Sequence, residues 1–216
     1  MFKKTILLAT RNKDKFRELK DILSQMQCEI KGLDDIDPDG KIPHIKETGK
    51  TLLDNALIKA KTIYNVTGIP TIADDTGLEV DALGGKPGVY SARYAGKNCT
   101  YNDNVRKLLS ELLDVNPDHK SARFRTVACF FDGEKELWTE GAVEGMISDS
   151  PMGDKGFGYD PIFYVPEMKK TFAQMTEKQK NAISHRGNAI RKLLDLMSME
   201  WIPTENKTSE IQEIGD

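Results

Sequence analysis

The chain has 216 residues, of which 38% are hydrophobic, so it can bury a substantial core, and disorder of the whole chain is excluded. Its 31 Lys and Arg residues nearly balance 34 Asp and Glu residues, and a net charge of -3 gives no reason to expect general binding to nucleic acid or membrane. Cys28, Cys99 and Cys129 have neither the even count of a disulfide framework nor the CxxC spacing of a zinc site. The first apolar run is too short for a signal peptide or a membrane span, so a cytoplasmic location is expected.

The first half of the chain predicts strands that alternate with helices. Lys4–Thr10 has the composition of a buried strand, and Asn12–Met26 carries apolar residues at helical spacing. Gly32–Thr48 is polar and predicts a loop, after which Lys50–Asn65 resumes the helical pattern. A further strand is expected at Thr71–Ala73.

The second half has a different character, because two long alternating segments flank a hairpin signal. Gly84–Gly88 is expected to break regular structure, and Tyr101–Leu113 is amphipathic and predicts a helix. Ala122–Phe131 and Glu136–Ile147 predict antiparallel strands joined at Asp132-Gly133. A glycine-rich turn, a short strand and a helix should follow at 153–158, 161–165 and 184–197. The sequence thus indicates one mixed α/β domain over residues 1–198 and a polar tail over residues 199–216.

Four segments could bind a nucleotide, and the first of them is Thr10–Lys15, at the junction of a strand and a helix. Free backbone N–H groups and the helix dipole make such a junction a site for phosphate, and two lysines strengthen the attraction. An ordinary helix cap with solvated lysines would have the same composition.

The second segment is Ala73–Gly77, in which Asp74 and Asp75 directly follow an apolar strand. Binding sites of α/β proteins commonly lie at strand ends, and carboxylate oxygens are suitable ligands for magnesium. A solvated Asp-Asp turn is the alternative.

The third segment, Gly156–Pro161, places glycines on both sides of Phe157. This arrangement would let the aromatic ring lie flat against a nucleobase, although a strained turn with a core phenylalanine would also fit.

The fourth segment, Lys180–Gly187, brings three basic side chains close to the start of a helix. These side chains could donate hydrogen bonds to phosphate or to base oxygens, and a solvated basic surface is the alternative. Together the four segments supply the parts of a nucleoside triphosphate site.

These motifs, together with Glu47-Thr48-Gly49, Asp54-Asn55-Ala56 and Pro87–Tyr94, occur in the order found in the inosine triphosphate pyrophosphatase (HAM1) family. The chain resembles that family from about Lys4 to Leu196. The resemblance implies an elongated α/β fold with a mixed sheet and two lobes that flank a central nucleotide-binding groove, usually assembled as a homodimer. It also implies hydrolysis of deaminated purine nucleoside triphosphates (ITP, dITP, XTP) to the monophosphate and pyrophosphate, with Mg²⁺ as cofactor.

The resemblance further assigns roles to individual residues. Asp75 should be the general base and a magnesium ligand, and Glu47 should assist with the metal. Lys15, Lys59, Lys180 and the Thr10–Lys15 loop should hold the triphosphate, while Phe157–Asp160, His185 and Arg186 should bind the base. The substrate-binding residues expected in this way are Thr10, Arg11, Asn12, Lys13, Asp14, Lys15, Lys59, Thr76, Phe157, Gly158, Tyr159, Asp160, Lys180, His185 and Arg186.

Two positions depart from the family pattern. Thr76 stands where serine is common and keeps the hydroxyl, so little change is expected there. Asp14 stands where many relatives have glycine and adds a carboxylate beside the phosphate loop, which puts the backbone contact at that position in doubt.

Two other functions remain compatible with these residues. A pyrophosphatase for other altered nucleotides would use the same phosphate and metal groups with a different base pocket. A nucleotide sensor or RNA-binding module would bind without releasing pyrophosphate, and the near-neutral charge makes it the weaker alternative.

Overall fold

The computed structural model describes residues 4–201, which form a mixed α/β fold. Within these residues, six helices pack around one sheet of eight strands. The helices are α1 (Lys13–Leu23), α2 (Leu33–Ile36), α3 (Leu52–Thr67), α4 (Tyr101–Glu111), α5 (Glu177–Ile183) and α6 (His185–Glu200). The strands are β1 (Thr5–Leu8), β2 (Glu29–Gly32), β3 (Thr71–Val80), β4 (Lys86–Gly88), β5 (Ser121–Phe131), β6 (Glu136–Ile147), β7 (Phe163–Val165) and β8 (Lys170–Thr171).

The sheet has the strand order β2-β1-β3-β5-β6-β7-β8, and β4 pairs with β3 outside this path. β1 is parallel to both β2 and β3, whereas β3, β5 and β6 form a long antiparallel centre. β5 and β6 form the predicted hairpin, whose turn is closed by the Asp132 carboxylate accepting the N–H groups of Glu134 and Lys135. The predicted α/β class with a long antiparallel hairpin is therefore confirmed.

One edge of β3 is open in its middle. β1 pairs with β3 only at Thr71 and Ile72, and β4 pairs with it only from Leu78 to Val80. Among the strands that the structure describes, none covers residues 73–77 on that edge. This gap lies between the two lobes, and it is where the candidate site opens.

The core consists of three apolar clusters, one in one lobe and two in the other. One apolar cluster gathers the far ends of the long strands with α4, through residues such as Leu78, Phe124 and Leu108. Two further clusters lie at the other end of the sheet, one under α1 and α6 and one under α3. The long strands β3, β5 and β6 thus connect both lobes.

Several boundaries differ from those predicted. β3 continues through Asp74 and Asp75 to Val80, because all ten of its residues pair with β5. The predicted 32–48 loop contains α2, whose first turn is stabilised by the Asp35 carboxylate accepting the Gly32 N–H at 2.7 Å. The predicted break at 84–88 contains β4, and the short elements β2, β8 and α5 were missed.

The predicted domain boundary falls inside a helix, because α6 continues through Glu200 and includes the first two residues assigned to the tail. Of the rest of that tail, Trp201 is described and residues 202–216 lie outside the described residues, so the single-domain division stays a prediction. None of the helices in residues 4–201 combines the length and the apolar character needed to cross a membrane.

Candidate active site

Asp74 and Asp75 lie on opposite faces of the sheet, because successive side chains of a strand point in opposite directions. Asp75 faces α3, where its carboxylate accepts hydrogen bonds from Asn55 Nδ2 at 3.1 Å and Lys59 Nζ at 3.2 Å. Asp74 faces α1 and α6, and its Oδ2 lies 3.2 Å from both Lys15 Nζ and Arg186 Nε. The expected position of this pair after a strand end is therefore wrong. Both carboxylates lie within β3, and they contact different side chains on the two faces of the sheet.

Glu47 and Asp75 converge on one ammonium group. Lys59 Nζ lies 2.8 Å from Glu47 Oε1 and 3.2 Å from Asp75 Oδ1, and the lysine is buried. Burial alone would raise the pKa of Glu47, but the attraction of Lys59 outweighs it and holds that pKa below its ordinary value. Gly49 makes the approach possible, because a Cβ there would collide with Asp54 at the start of α3.

These two carboxylates fit a magnesium ion whose other coordination positions are filled by a bound phosphate group and water. Within residues 4–201, no group of three or more His, Cys, Asp or Glu side chains could hold a metal by itself. Magnesium, however, commonly takes only one or two protein carboxylates and fills its other positions with phosphate oxygens and water. Glu47 and Asp75 supply that minimal set of hard oxygen ligands on the side of the cleft that also carries Lys15 and Lys59.

The start of α1 forms one side of the cleft, the side expected to bind phosphate. Asn12 caps the helix, because its Oδ1 accepts the N–H groups of Asp14 at 3.0 Å and Lys15 at 3.1 Å. The Lys15 side chain points into the cleft toward Asp74. Burial lowers the pKa of Lys15, and this effect outweighs the attraction of the Asp74 carboxylate, which acts to raise it. Thr10 lies on the same wall and accepts the Asn12 N–H through its hydroxyl at 3.1 Å.

Three other members of the Thr10–Lys15 loop are engaged or directed elsewhere. Arg11 Nη2 lies 2.6 Å from Asp37 Oδ2, so an acidic side chain already compensates its charge. Asp14 pairs with Arg17 on the surface of α1 at 3.2 Å, and Lys13 lines a separate depression beside α2. The loop therefore lines the cleft with Thr10, Asn12, Lys15 and the already paired Arg11, while the side chains of Lys13 and Asp14 face away from it.

A buried ion network forms the other side of the cleft, the side expected to bind the base. Lys180 Nζ lies between Glu18 Oε1 at 2.7 Å and Asp160 Oδ2 at 2.6 Å, and Arg186 donates to the other oxygen of Glu18. Burial would raise the pKa of Glu18, but the attraction of Arg186 and Lys180 outweighs it and lowers that pKa. Lys180 was expected to hold the triphosphate, whereas the structure places it beneath the ring of Phe157, 4.7 Å from the ring centroid.

The loop that carries Phe157 is held by its own carboxylate. Asp160 Oδ2 accepts the Phe157 N–H at 2.8 Å, and a Cβ at Gly156, where φ is +71, would collide with that carboxylate. Gly158 also has a positive φ of 63, and the buried Tyr159 donates its hydroxyl to the Ser91 carbonyl at 2.9 Å. Phe157 is thereby presented to the cleft on a fixed turn.

His185 occupies the deepest part of the base side. Its ring stacks on Phe124 with centroids 4.5 Å apart, and burial, followed by the charges of Arg186 and Lys180, lowers its pKa well below the ordinary value. The imidazole is therefore neutral at pH 7. Of the buried side-chain nitrogen and oxygen atoms in residues 4–201, Nδ1 of His185 lacks a hydrogen-bond partner.

Arg186 and Thr76 complete this wall. Arg186 has five N–H donors, of which Asp74, Glu18 and Thr76 accept three, so two remain for a ligand. The Thr76 hydroxyl lies 2.7 Å from that of Thr126, which fixes it within the sheet.

One cleft thus collects most of the predicted side chains. The expected residues that line its two connected halves are Thr10, Arg11, Asn12, Lys15, Glu47, Lys59, Asp75, Thr76, Phe157, Gly158, Tyr159, Asp160, Lys180, His185 and Arg186. The sequence interpretation gave no role to Glu18, Asn55, Tyr101 or Phe124, which line the cleft or hold its lining residues in place. Glu18 had a detectable signal, because it follows Lys15 by three positions and so shares a helix face with it.

The chain is similar to known proteins over most of its length. The family model described as the Ham1 family matches residues 6–196. A dITP/XTP pyrophosphatase of Bacillus licheniformis is 47% identical over 195 residues, which cover 90% of this chain and 98% of that protein. The dITP/XTP pyrophosphatase of Escherichia coli K12 is 44% identical, with 89% and 97% covered.

Solved structures show the same fold. The Staphylococcus aureus Ham1 protein superimposes with a TM-score of 0.80 at 39% identity, over 91% of this chain and 100% of that one. A HAM1 protein from Coxiella burnetii gives the same TM-score at 38% identity, over 91% and 99% of the two chains. The family match, these identities and their nearly complete coverage lead to one conclusion: the chain belongs to the Ham1 family.

Proposed function

We propose that this protein hydrolyses deaminated purine nucleoside triphosphates (ITP, dITP and XTP) to the monophosphate and pyrophosphate, and so removes them from the nucleotide pool. One observation carries the proposal: a single cleft has a Glu47–Lys59–Asp75 cluster beside Lys15 at one end and a neutral His185 ring together with Phe157 at the other. The names of the curated relatives, dITP/XTP pyrophosphatases at 43–47% identity, support the same reaction.

At the phosphate end, the chain supplies charge compensation and a base. Lys15 and Lys59 offset the roughly four negative charges of the triphosphate, which would otherwise repel an attacking oxygen. Asp75 takes a proton from the attacking water. The new bond forms from that water oxygen to the α-phosphorus, and the bond from the α-phosphorus to the bridging oxygen breaks, so that pyrophosphate leaves.

Magnesium is the proposed cofactor, and Glu47 and Asp75 would hold it. When bound, it would neutralise phosphate charge and orient the substrate phosphates for in-line attack. Asn55 keeps the Asp75 carboxylate in position through its hydrogen bond at 3.1 Å, whether or not Lys59 shares the other oxygen.

At the base end, selectivity depends on the six-position of the purine. The keto oxygen of hypoxanthine or xanthine can accept a hydrogen bond from a ring N–H of His185 or from an unused N–H of Arg186. The amino group of adenine cannot accept, so it would leave buried donors unpaired at a cost of about 1–3 kcal/mol each. Two such donors give a discrimination against ATP of roughly 10² to 10⁴.

We also propose a homodimer and a cytoplasmic location. The homodimer follows from the family resemblance. Cys28, Cys99 and Cys129 are all free thiols, as expected in a reducing compartment.

The test is a steady-state assay of pyrophosphate release from ITP, dITP, XTP, GTP and ATP, with and without Mg²⁺. We expect release from ITP and XTP that requires the metal, and poor release from ATP. A preference for modified pyrimidine or methylated triphosphates would favour the other pyrophosphatase alternative. Binding of ITP without any pyrophosphate release would contradict the proposal and favour a sensor.

A further inference from the structure

Tyr101 contacts the opposite wall of the cleft. It is the first residue of α4, in the lobe remote from α1, yet its hydroxyl lies 2.8 Å from Nδ2 of Asn12. The two residues are 89 positions apart in the sequence, and both line the candidate cleft. This hydrogen bond therefore links the two lobes at the entrance to the site.

The Asn12 amide serves two elements at once. Its Oδ1 caps α1 by accepting the N–H groups of Asp14 and Lys15, and its Nδ2 donates to the Tyr101 hydroxyl. An amide that is held at both ends cannot rotate freely, so the Tyr101 hydroxyl fixes the orientation of the helix cap. Lys15 belongs to the capped turn, and its side chain extends into the cleft.

The ring of Tyr101 meets the base side of the cleft. Its centroid lies 6.0 Å from that of Phe157 at an interplanar angle of 40°, which is within the range of a direct aromatic pair. Phe157 is itself anchored, because Asp160 accepts its N–H. Asn12, Tyr101 and Phe157 thus form a continuous chain of contacts, the cross-cleft brace, from the phosphate loop to the base loop.

We propose that Tyr101 is a substrate-positioning residue, whose hydroxyl keeps the phosphate loop in its binding geometry and whose ring supports Phe157. The proposal rests on the proposed function and assigns to this reaction a residue outside the motifs that carry the family resemblance. A brace of this kind raises the fraction of free protein that is ready to bind, and the apparent affinity for substrate rises in proportion. It does not touch the reacting atoms, so the chemical step should be little changed.

Tyr101→Phe removes the hydroxyl and keeps the ring. We expect KM for ITP to rise roughly 2- to 12-fold, the effect of one net hydrogen bond, with kcat within about twofold of the wild type. Tyr101→Leu, which also removes the aromatic contact, should raise KM further. Tyr64→Phe is the matched control, because Tyr64 lies on α3 outside the cleft and packs on Phe131 of β5, and the substitution should leave KM unchanged.

A double-mutant cycle separates bracing from a general structural role. Asn12→Ser keeps a good helix-capping oxygen and removes the amide donor. If Tyr101 acts through Asn12, Tyr101→Phe should change KM in the wild type but not in the Asn12→Ser background. Equal effects in both backgrounds, or an unchanged KM in Tyr101→Phe, would overturn the proposal.

A binding measurement makes the result independent of turnover. Inorganic tripolyphosphate with Mg²⁺ probes the phosphate loop alone, and calorimetry should show the same loss of affinity in Tyr101→Phe as the KM for ITP. If the wild type binds tripolyphosphate but releases no pyrophosphate from ITP, the proposed function fails and the calorimetric cycle still decides the role of Tyr101. If the wild type is active but tripolyphosphate binds equally to the wild type and Tyr101→Phe, the proposed role of Tyr101 is contradicted and the proposed function stands.

Discussion

The two ends of the cleft hold their charges in different ways. At the phosphate end, Lys15 and Glu47 keep 20% and 28% of their side-chain surfaces exposed. Lys15 pairs with Asp74, and Glu47 pairs with Lys59. At the base end, Glu18, Lys180 and Arg186 are all at most 8% exposed and close a network among themselves. The phosphate end is therefore able to exchange its partners for a ligand, whereas the base end is a fixed frame. Substitutions at the phosphate end should therefore affect the chemical step, and substitutions at the base end should affect folding or selectivity.

The largest effect is expected from Asp75→Asn at the phosphate end. Asparagine keeps the size of the side chain but cannot accept the proton of the attacking water, so kcat should fall by at least roughly 10²- to 10⁴-fold. Binding of ITP, measured by calorimetry with Mg²⁺, should persist because Lys15 and Lys59 remain. Asp81→Asn, in the exposed turn that follows β3, should retain full activity. A kcat within tenfold of the wild type would exclude Asp75 as the base.

At the base end, Glu18→Ala should act on folding. The substitution leaves two buried cations, Lys180 and Arg186, with one carboxylate fewer, and breaking a buried pair costs about 3–5 kcal/mol. For a domain of this size, Tm should fall by roughly 6–20 °C. Glu177→Ala removes an exposed ion pair with Arg17 and should shift Tm by no more than about 4 °C. Equal shifts in the two variants would contradict the distinction between a fixed frame and a solvated surface.

The same network predicts how stability depends on pH. The folded-state pKa of Glu18 is depressed, so its ionised form stabilises the protein above the unfolded-state pKa of about 4.3. That stabilisation is lost as the pH falls through the lower folded-state pKa. The difference in Tm between the wild type and Glu18→Gln should therefore be widest near pH 7 and should narrow below pH 4. A difference that stays constant over this range would show that the charge of Glu18 does not contribute.

His185→Phe should change selectivity more than folding. Phenylalanine can keep the stacking on Phe124, but it removes the ring N–H donor to the keto oxygen. The ratio of kcat/KM for ITP to that for ATP should fall by roughly 5- to 150-fold, the cost of one unpaired buried donor. The exposed His119 provides a control, since His119→Phe should leave the ratio unchanged. A fall in both rates by the same factor would indicate a packing role instead.

The sequence was sufficient to predict the α/β class, the hairpin and most of the cleft-lining residues, because these depend on periodicity and on short ordered motifs. It was not sufficient to show that Asp74 and Asp75 face different surroundings, since that follows from β3 continuing along β5. Glu18 looks like an ordinary surface residue of an amphipathic helix until two distant cations are placed beside it. The contact of Tyr101 with Asn12 depends on the relative position of two lobes, which no local pattern encodes.

The smallest effect is expected at Asp14, where the chain departs from the family pattern. Its carboxylate pairs with Arg17 outside the cleft, and its backbone N–H is already accepted by Asn12. Asp14→Gly should lower Tm slightly, because a first-turn carboxylate and a non-glycine residue both favour the helix, and KM for ITP should change less than about twofold. A KM that falls tenfold or more would mean that the carboxylate repels the phosphates. The loop would then not divide into cleft-facing Asn12 and Lys15 and outward-facing Lys13 and Asp14.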